Sequence, residues 1–170
     1  MHDMTERNLN EAYAGESMAV LKYSIWADRA EKEGMPGVAK LFRAVAAAER
    51  VHAGNHWRTL GNVGDTASNL QHAIEGEQYE IDEMYPAHRV VAELQGEKAA
   101  VRTNHFALET EKVHVVMYRK ALEAVRSGSD IEVCDMYVCP ICGYTMEGSP
   151  ADACPVCGAK KESFAKFGSV

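Results

Sequence analysis

Eleven side chains in this chain have types and spacings that can do chemistry. Glu16 stands alone, Glu49 and His52 are three residues apart, Glu77 and Glu80 likewise, and Glu111 and His114 likewise. Residues three apart on a helix share a face, so Glu-x-x-His offers an oxygen and a nitrogen donor to one point. A single such pair is commonplace on a solvated helix. Here five carboxylates and two imidazoles interrupt stripes that are otherwise apolar, such as Tyr13–Val20 around Glu16 and Leu108–Tyr118 around Glu111 and His114. Buried carboxylates without counter-charge cost several kcal/mol each, so the set calls for cations, and a pair of metal ions supplies them.

The set also repeats. Glu16 precedes Glu49 by 33 positions and Glu77 precedes Glu111 by 34, while Tyr23 follows Glu16 by seven and Tyr85 follows Glu77 by eight. Two helical hairpins, each carrying half a site and related by an approximate two-fold axis, account for this. His56, one turn beyond His52, reads as a hydrogen-bonded supporting histidine, and His72, His88 and His105 as surface groups.

The remaining four are cysteines. Cys139-Pro-Ile-Cys142-Gly and Cys154-Pro-Val-Cys157-Gly are matched turns, with 11 residues between Cys142 and Cys154. Each aims two thiolates inward, and together they make a tetrahedral four-sulfur site for iron or zinc. Tyr137, Tyr144, Phe164 and Phe167 are the candidate apolar core of so small a unit. The fifth cysteine, Cys134, lacks a partner at ligand spacing and reads as a free thiol.

Long helices must position the carboxylates. Gly34-Met35-Pro36-Gly37 and Gly61–Thr66 break the chain, and helical periodicity predicts segments over 5–33, 36–60, 68–94 and 97–126, with a kink at Pro86. The predicted apolar stripe of the second is Val38, Leu41, Phe42, Val45 and Leu60. Four amphipathic helices make a bundle, and Ser127-Gly128-Ser129-Asp130 reads as a linker to the cysteine unit. The net charge of −7 and scattered basic residues offer no footprint for nucleic acid or an anionic membrane. Neither a signal-like start nor an apolar run of about 18 residues occurs, so a cytoplasmic location is expected. Cysteines crowded into the last 37 residues then mean metal rather than disulfides.

The order Gly15-Glu16-Ser17…Tyr23, Ala48-Glu49-Arg50-Val51-His52-Ala53, Gly76-Glu77-Gln78-Tyr79-Glu80…Met84-Tyr85-Pro86, Glu111-Lys112-Val113-His114 and paired Cys-Pro-x-Cys-Gly turns resembles rubrerythrin over essentially the whole chain. The resemblance implies an all-α ferritin-like di-iron bundle over residues 1–128 and a rubredoxin-like domain over 134–170. It implies that Glu49 and Glu111 bridge two oxo- or hydroxo-linked irons, Glu16 binds the first, and Glu77 and His114 bind the second. Glu80 and His52 would exchange on the first iron, Glu80 when oxidised and His52 when reduced. A neutral imidazole in place of a carboxylate suits the lower metal charge. Tyr23 and Tyr85 would donate hydrogen bonds to terminal carboxylates. Cys139, Cys142, Cys154 and Cys157 would hold a third iron, with zinc as a substitute. The implied reaction is reduction of hydrogen peroxide to water in oxidative-stress protection, fed by an external NAD(P)H-dependent reductase or rubredoxin.

Helix lengths add a geometric expectation. In such bundles the second and third helices run parallel, so their link returns roughly 30 Å along the axis. Seven residues from Gly61 to Ala67 reach at most about 25 Å. A homodimer that exchanges hairpins follows as the expected assembly. Two other readings compete. A ferroxidase or iron-storage protein would use the same bundle but has no need of a fused electron donor. A zinc-ribbon interaction module would leave the carboxylates unexplained.

Overall fold

A computed structural model describes residues 1–132 and 134–168. The chain forms two compact units, Met1–Gly64 and a second that begins at Asp65. The first is a hairpin of α1 (Asp3–Lys32) and α2 (Pro36–Thr59). The second holds α3 (Thr66–Tyr79), a π-helical turn (Glu80–Met84), α4 (Tyr85–Leu94) and α5 (Lys98–Arg126), followed by strands β1 (Met136–Val138), β2 (Thr145–Glu147) and β3 (Ala165–Phe167). Among the described residues no helix is long and apolar enough to cross a membrane.

In the first unit the seam between α1 and α2 is built on small residues. Ala27 and Ala30 on α1 and Ala39, Ala46 and Ala53 on α2 are its buried members. Their spacing of three and seven keeps one face turned inward over the whole hairpin, and the missing side-chain bulk lets the helices approach closely. Glu16 continues the α1 seam and Glu49 the α2 seam, both half-buried. Val38 and Leu41 of the predicted α2 stripe are 43% and 62% exposed in this hairpin and do not face α1. Alanines rather than the larger aliphatics face α1, which turns the stripe by one residue.

In the second unit α3, the π turn and α4 make one uninterrupted rod that packs against α5, with Ile74, Ala92, Val115 and Leu122 buried between them. Asp65 caps α3, its Oδ1 accepting from Ser68 N at 2.8 Å, which holds the carboxyl below its usual range. The disturbance expected at Pro86 takes the form of a π turn in the residues before it. Proline has no N–H for the Asp82 carbonyl and its ring crowds that oxygen. The preceding turn therefore widens, and Tyr85 N bonds Glu80 O, five residues back. One extra residue is absorbed, so the rod keeps Ile74 and Glu77 before the turn, and Ala92 after it, toward α5. Pro86→Ala is expected to let the α pattern through and rotate the two halves relative to each other. Metal held by the carboxylates expected to bind it should then be retained against a chelator about tenfold less well or worse.

The strands form an antiparallel sheet in the order β2-β1-β3, with Tyr137 opposite both Met146 and Lys166. Tyr137, Tyr144 and Phe164 are half-buried, whereas Phe167 is 60% exposed and outside the core expected for it. The most buried side chains of this segment are Cys139 and Cys154.

Candidate metal centre

The two hairpins present the same arrangement of donors. In the first unit one donor atom each of Glu16, Glu49 and His52 lie within 4.8 Å of one another. His52 Nδ1 is 2.8 Å from Glu49 Oε2 and 3.9 Å from Glu16 Oε1. In the second unit Glu77, Glu111 and His114 cluster in the same way. His114 Nδ1 is 2.6 Å from Glu111 Oε2 and 3.8 Å from Glu77 Oε1. Near-identical distances at two places in one chain are the structural form of the repeat in the sequence.

The electrostatics of the second cluster are those of a cation site. Burial pushes Glu77 up to about 7, helped by its hydrogen bond with Glu111 and the charge of that group. Burial acts on Glu111 in the same direction, but hydrogen bonds with His114 and Glu77 outweigh it and hold Glu111 down. The two carboxyls thus behave as one pair sharing a proton. His114 is raised, chiefly by its hydrogen bond to Glu111. A metal ion would replace both the shared proton and the imidazolium, so the donor set fits hard or borderline cations such as iron.

Other expected residues stand further out. Glu80 is not drawn into the tight cluster; burial raises its carboxyl, followed by the charge of Glu111. Tyr85 is raised by burial and then by Glu80, Glu111 and Glu77, so its phenol lies within their field. Tyr23 packs with Trp26 and Phe42 at ring-centre distances of 5.5 and 6.1 Å. Among the described residues neither tyrosine hydroxyl bonds a carboxylate. His56 is half-buried, and its imidazole makes no hydrogen bond among them. His105, expected at the surface, is half-buried instead, with its Nδ1 buried and unpartnered.

Two residues at this site escape the sequence reading, and a third, Tyr118, enters it only as a member of an apolar stripe. Tyr118, one turn beyond His114, is raised by burial and then by Glu77 and Glu111. Its helical spacing is a usable signal. Thr145 Oγ1 lies 3.0 Å from His114 Nε2, and Thr110 Oγ1 lies 3.1 Å from Cys142 O. Both join the cysteine segment to α5, and local sequence carries no sign of either.

The two cysteine turns are copies of each other. Gly143 N donates to Cys139 O and Gly158 N to Cys154 O, each at 2.9 Å. Cys139 N and Cys154 N donate to Tyr144 O and Ala159 O at 2.9 and 2.7 Å. Gly143 and Gly158 have φ of +84° and +75°, which only glycine adopts without strain. A Cβ on Gly143 would meet nothing closer than Thr110 Cγ2 at 3.7 Å, so a substitution there tests backbone strain alone. Gly143→Ala should cost about 1–2 kcal/mol of the knuckle's stability. Faster bleaching of the cysteine-bound iron by a chelator is the readout.

Sulfur distances fit one ion. Cys139 Sγ and Cys157 Sγ are 3.5 Å apart, as are Cys142 Sγ and Cys154 Sγ. A disulfide would need about 2.05 Å, whereas the edge of a tetrahedron with metal–sulfur bonds of about 2.3 Å is roughly 3.7 Å. Burial opposes ionisation of Cys154, yet N–H groups of Cys157 and Val156 and the neighbouring thiols bring it down to about 7. Cys142 and Cys157 are raised, by burial first. Four thiols compete here for fewer than four negative charges, and a metal ion resolves the competition. Cys134 forms no disulfide.

Known proteins repeat this combination. The rubrerythrin family model matches residues 7–122, and the model of the rubrerythrin rubredoxin-like domain matches residues 137–165. Rubrerythrin-2 of Clostridium acetobutylicum is 41% identical over 178 residues, covering 96% of this chain and 97% of the relative. Nigerythrin of Nitratidesulfovibrio vulgaris is 33% identical, covering 96% and 86%. A solved structure of nigerythrin in its fully reduced, all-ferrous state aligns with a TM-score of 0.57 at 31% identity, over 96% of this chain and 86% of that one. With donor sets, cysteine turns and family models in agreement over most of its length, the chain belongs to the rubrerythrin family.

Proposed function

We propose that this protein reduces hydrogen peroxide to water at a di-iron centre that is refilled from a cysteine-bound iron. The observation that carries the reading is the presence, in one chain, of two matched Glu/Glu/His clusters and a four-thiol site. A storage or ferroxidase bundle has no use for the third site. Two irons held by these clusters would supply the two electrons that, with two protons, convert one peroxide to two waters.

Glu49 and Glu111 are the proposed bridging carboxylates. Each carries the short contact to the imidazole of its own helix, 2.8 Å to His52 and 2.6 Å to His114. Glu16 would hold the first iron, and Glu77 with His114 the second. The His52 side chain is 54% exposed against 26% for His114, which suits a ligand that leaves and returns as Glu80 takes its place. Tyr23 and Tyr85, whose hydroxyls bond no carboxylate among the described residues, are the proposed donors to terminal carboxylates of the iron-loaded centre. Cys139, Cys142, Cys154 and Cys157 hold the electron-donating iron. An external NAD(P)H-dependent reductase or rubredoxin fills it in turn. Residues 1–128 make up the bundle domain and 134–170 the rubredoxin-like domain in this proposal, and the cytoplasm is the proposed compartment.

A complete centre needs both kinds of hairpin, and we assign the second to another copy of the chain. α2 runs ten residues past Glu49 and α3 eleven residues before Glu77. Aligning the two glutamates in a parallel arrangement therefore requires a return of about 32 Å. The connection Leu60–Asp65 spans at most about 25 Å. The first hairpin also exposes Met18, Leu21 and Ile25 at 55%, 64% and 57%, an apolar face of the kind that a partner covers. The proposed assembly is a homodimer with exchanged hairpins.

The deciding experiment reduces the iron-loaded protein without oxygen and mixes it with hydrogen peroxide or with air-saturated buffer. Rapid return of the ferric–thiolate colour with peroxide and slow return with oxygen supports the proposal. Faster return with oxygen makes the protein an oxidase or ferroxidase. Absence of any such colour leaves the bundle without a donor.

A further inference from the structure

The cysteine segment docks on α5 of its own chain at three points. Thr110 is 2% exposed, and its hydroxyl proton is shared between Phe106 O at 2.8 Å and Cys142 O at 3.1 Å. Lys120 Nζ meets Glu147 Oε2 at 2.7 Å. Between them, Thr145 Oγ1 lies 3.0 Å from His114 Nε2 and 3.0 Å from Gly143 O.

The last pair of distances fixes who donates. A threonine hydroxyl has one proton. Gly143 O can only accept, so the proton goes there and the oxygen meets His114 with a lone pair. His114 must then carry hydrogen on Nε2. Its Nδ1 is the nitrogen left for a metal, and it is this atom that faces Glu111 and Glu77. The reverse arrangement, with Thr145 donating to Nε2, would leave Gly143 O unpaired among the described residues, and a neutral ring would then carry its one hydrogen on Nδ1 and could not offer that nitrogen to a cation. His52 turns Nδ1 to its carboxylates in the same way, but its Nε2 has no partner among the described residues. The two half-sites thus differ in one respect: only one imidazole is latched, and the latch comes from the cysteine segment.

We propose that Thr145 is a positioning residue that holds His114 in its metal-binding orientation and couples the four-cysteine site to the half-site of the same chain. The proposal rests on the reading of His114 as an iron ligand. It also defines a connection. From Cys142 the main chain leads to Gly143 O, one hydrogen bond reaches Thr145 Oγ1, and a second reaches the His114 ring. Along it one electron would pass from a ferrous ion held by the four thiolates to a ferric ion held at His114. No covalent bond breaks and no proton need travel with it. Electron delivery is then an affair of one chain, even where the centre itself is built from two.

The test compares Thr145→Val and Thr145→Ser with the unaltered protein, full length and iron-loaded. One readout is independent of turnover: hydrogen–deuterium exchange of the paramagnetically shifted imidazole N–H resonance of His114 in the all-ferrous state. The other is the rate at which the cysteine-bound iron reduces the bundle after a peroxide pulse. Thr145→Val should speed exchange and slow electron transfer, each by about tenfold or more, while Thr145→Ser stays within about twofold on both. Thr110→Val loosens docking without touching His114 and should leave the exchange rate near that of the unaltered protein. A Thr145→Val protein within about twofold on both readouts overturns the inference, as does Thr145→Ser behaving like Thr145→Val or Thr110→Val speeding exchange equally. If the unaltered protein has no shifted imidazole N–H from His114, the ligand assignment falls first and this inference with it.

Discussion

Glu49→Ala and Glu111→Ala chains, each inactive alone, should recover about a quarter of the normal peroxide reductase activity when unfolded together, refolded in equal amounts and loaded with iron. The figure follows from the proposed exchange of hairpins. Random pairing makes half of the dimers mixed, and in a mixed dimer one centre combines an intact first hairpin with an intact second hairpin. Its other centre carries both lesions. Without exchange, every centre in every dimer keeps one defective hairpin and the mixture stays as inactive as its parts.

Each lesion is severe for a stated reason. Glu49 and Glu111 are the least exposed carboxylates of their clusters, with side chains 18% and 14% accessible. Each makes the short contact to the histidine of its own helix. Removing either takes away the proposed bridge and frees the neighbouring imidazole. Alanine at these seams resembles the surrounding Ala46, Ala53 and Thr110 in size, so the hairpins should still fold. The iron content of the mixed protein should recover in parallel with activity, which separates rebuilt centres from mere stabilisation of one variant.

How far these features are legible in sequence depends on how local their causes are. Glu49 with His52 and Glu111 with His114 stand out because three residues on a helix make one face, and their matched contacts of 2.8 and 2.6 Å are that spacing in space. The cysteine turns are equally local, since Pro, Gly and two thiols within five residues define the loop. The α2 seam is less legible. Hydropathy favours Val38 and Leu41, whereas close helix approach selects Ala39 and Ala46, and bulk rather than hydrophobicity decides between them. Pro86 marks the disturbance in the third predicted helix, but the response of the backbone, a widened turn from Glu80 to Met84, depends on keeping both halves against α5. Thr145 lies at the illegible end. Its hydroxyl meets a histidine 31 residues away through the docking of a separate segment, and no spacing rule connects them.

Cys154→Ser should abolish the ferric–thiolate colour and lower donor-driven peroxide turnover by about a hundredfold or more, while chemically reduced protein still consumes one equivalent of peroxide per di-iron centre. Cys154 is the sulfur whose loss the site tolerates least. N–H groups of Cys157 and Val156 bring its thiol to about 7, against the upward pull of burial, so it is the thiolate most readily available at neutral pH. Serine in its place would have to bind as an alkoxide, which those N–H groups cannot stabilise at that pH. The damage should extend to folding. The segment's most buried side chains are Cys139 and Cys154 themselves and its Phe167 is exposed, so apolar burial contributes little and a bound metal would supply most of the stability. Protease should therefore cut the variant between residues 134 and 168 and leave α1 to α5 intact. Metal analysis should find the bundle irons and no third. If colour and turnover survive the substitution, the electron donor is not the four-cysteine site; if peroxide consumption by the reduced bundle is lost as well, the two sites are not separable, and the division of labour proposed for them fails.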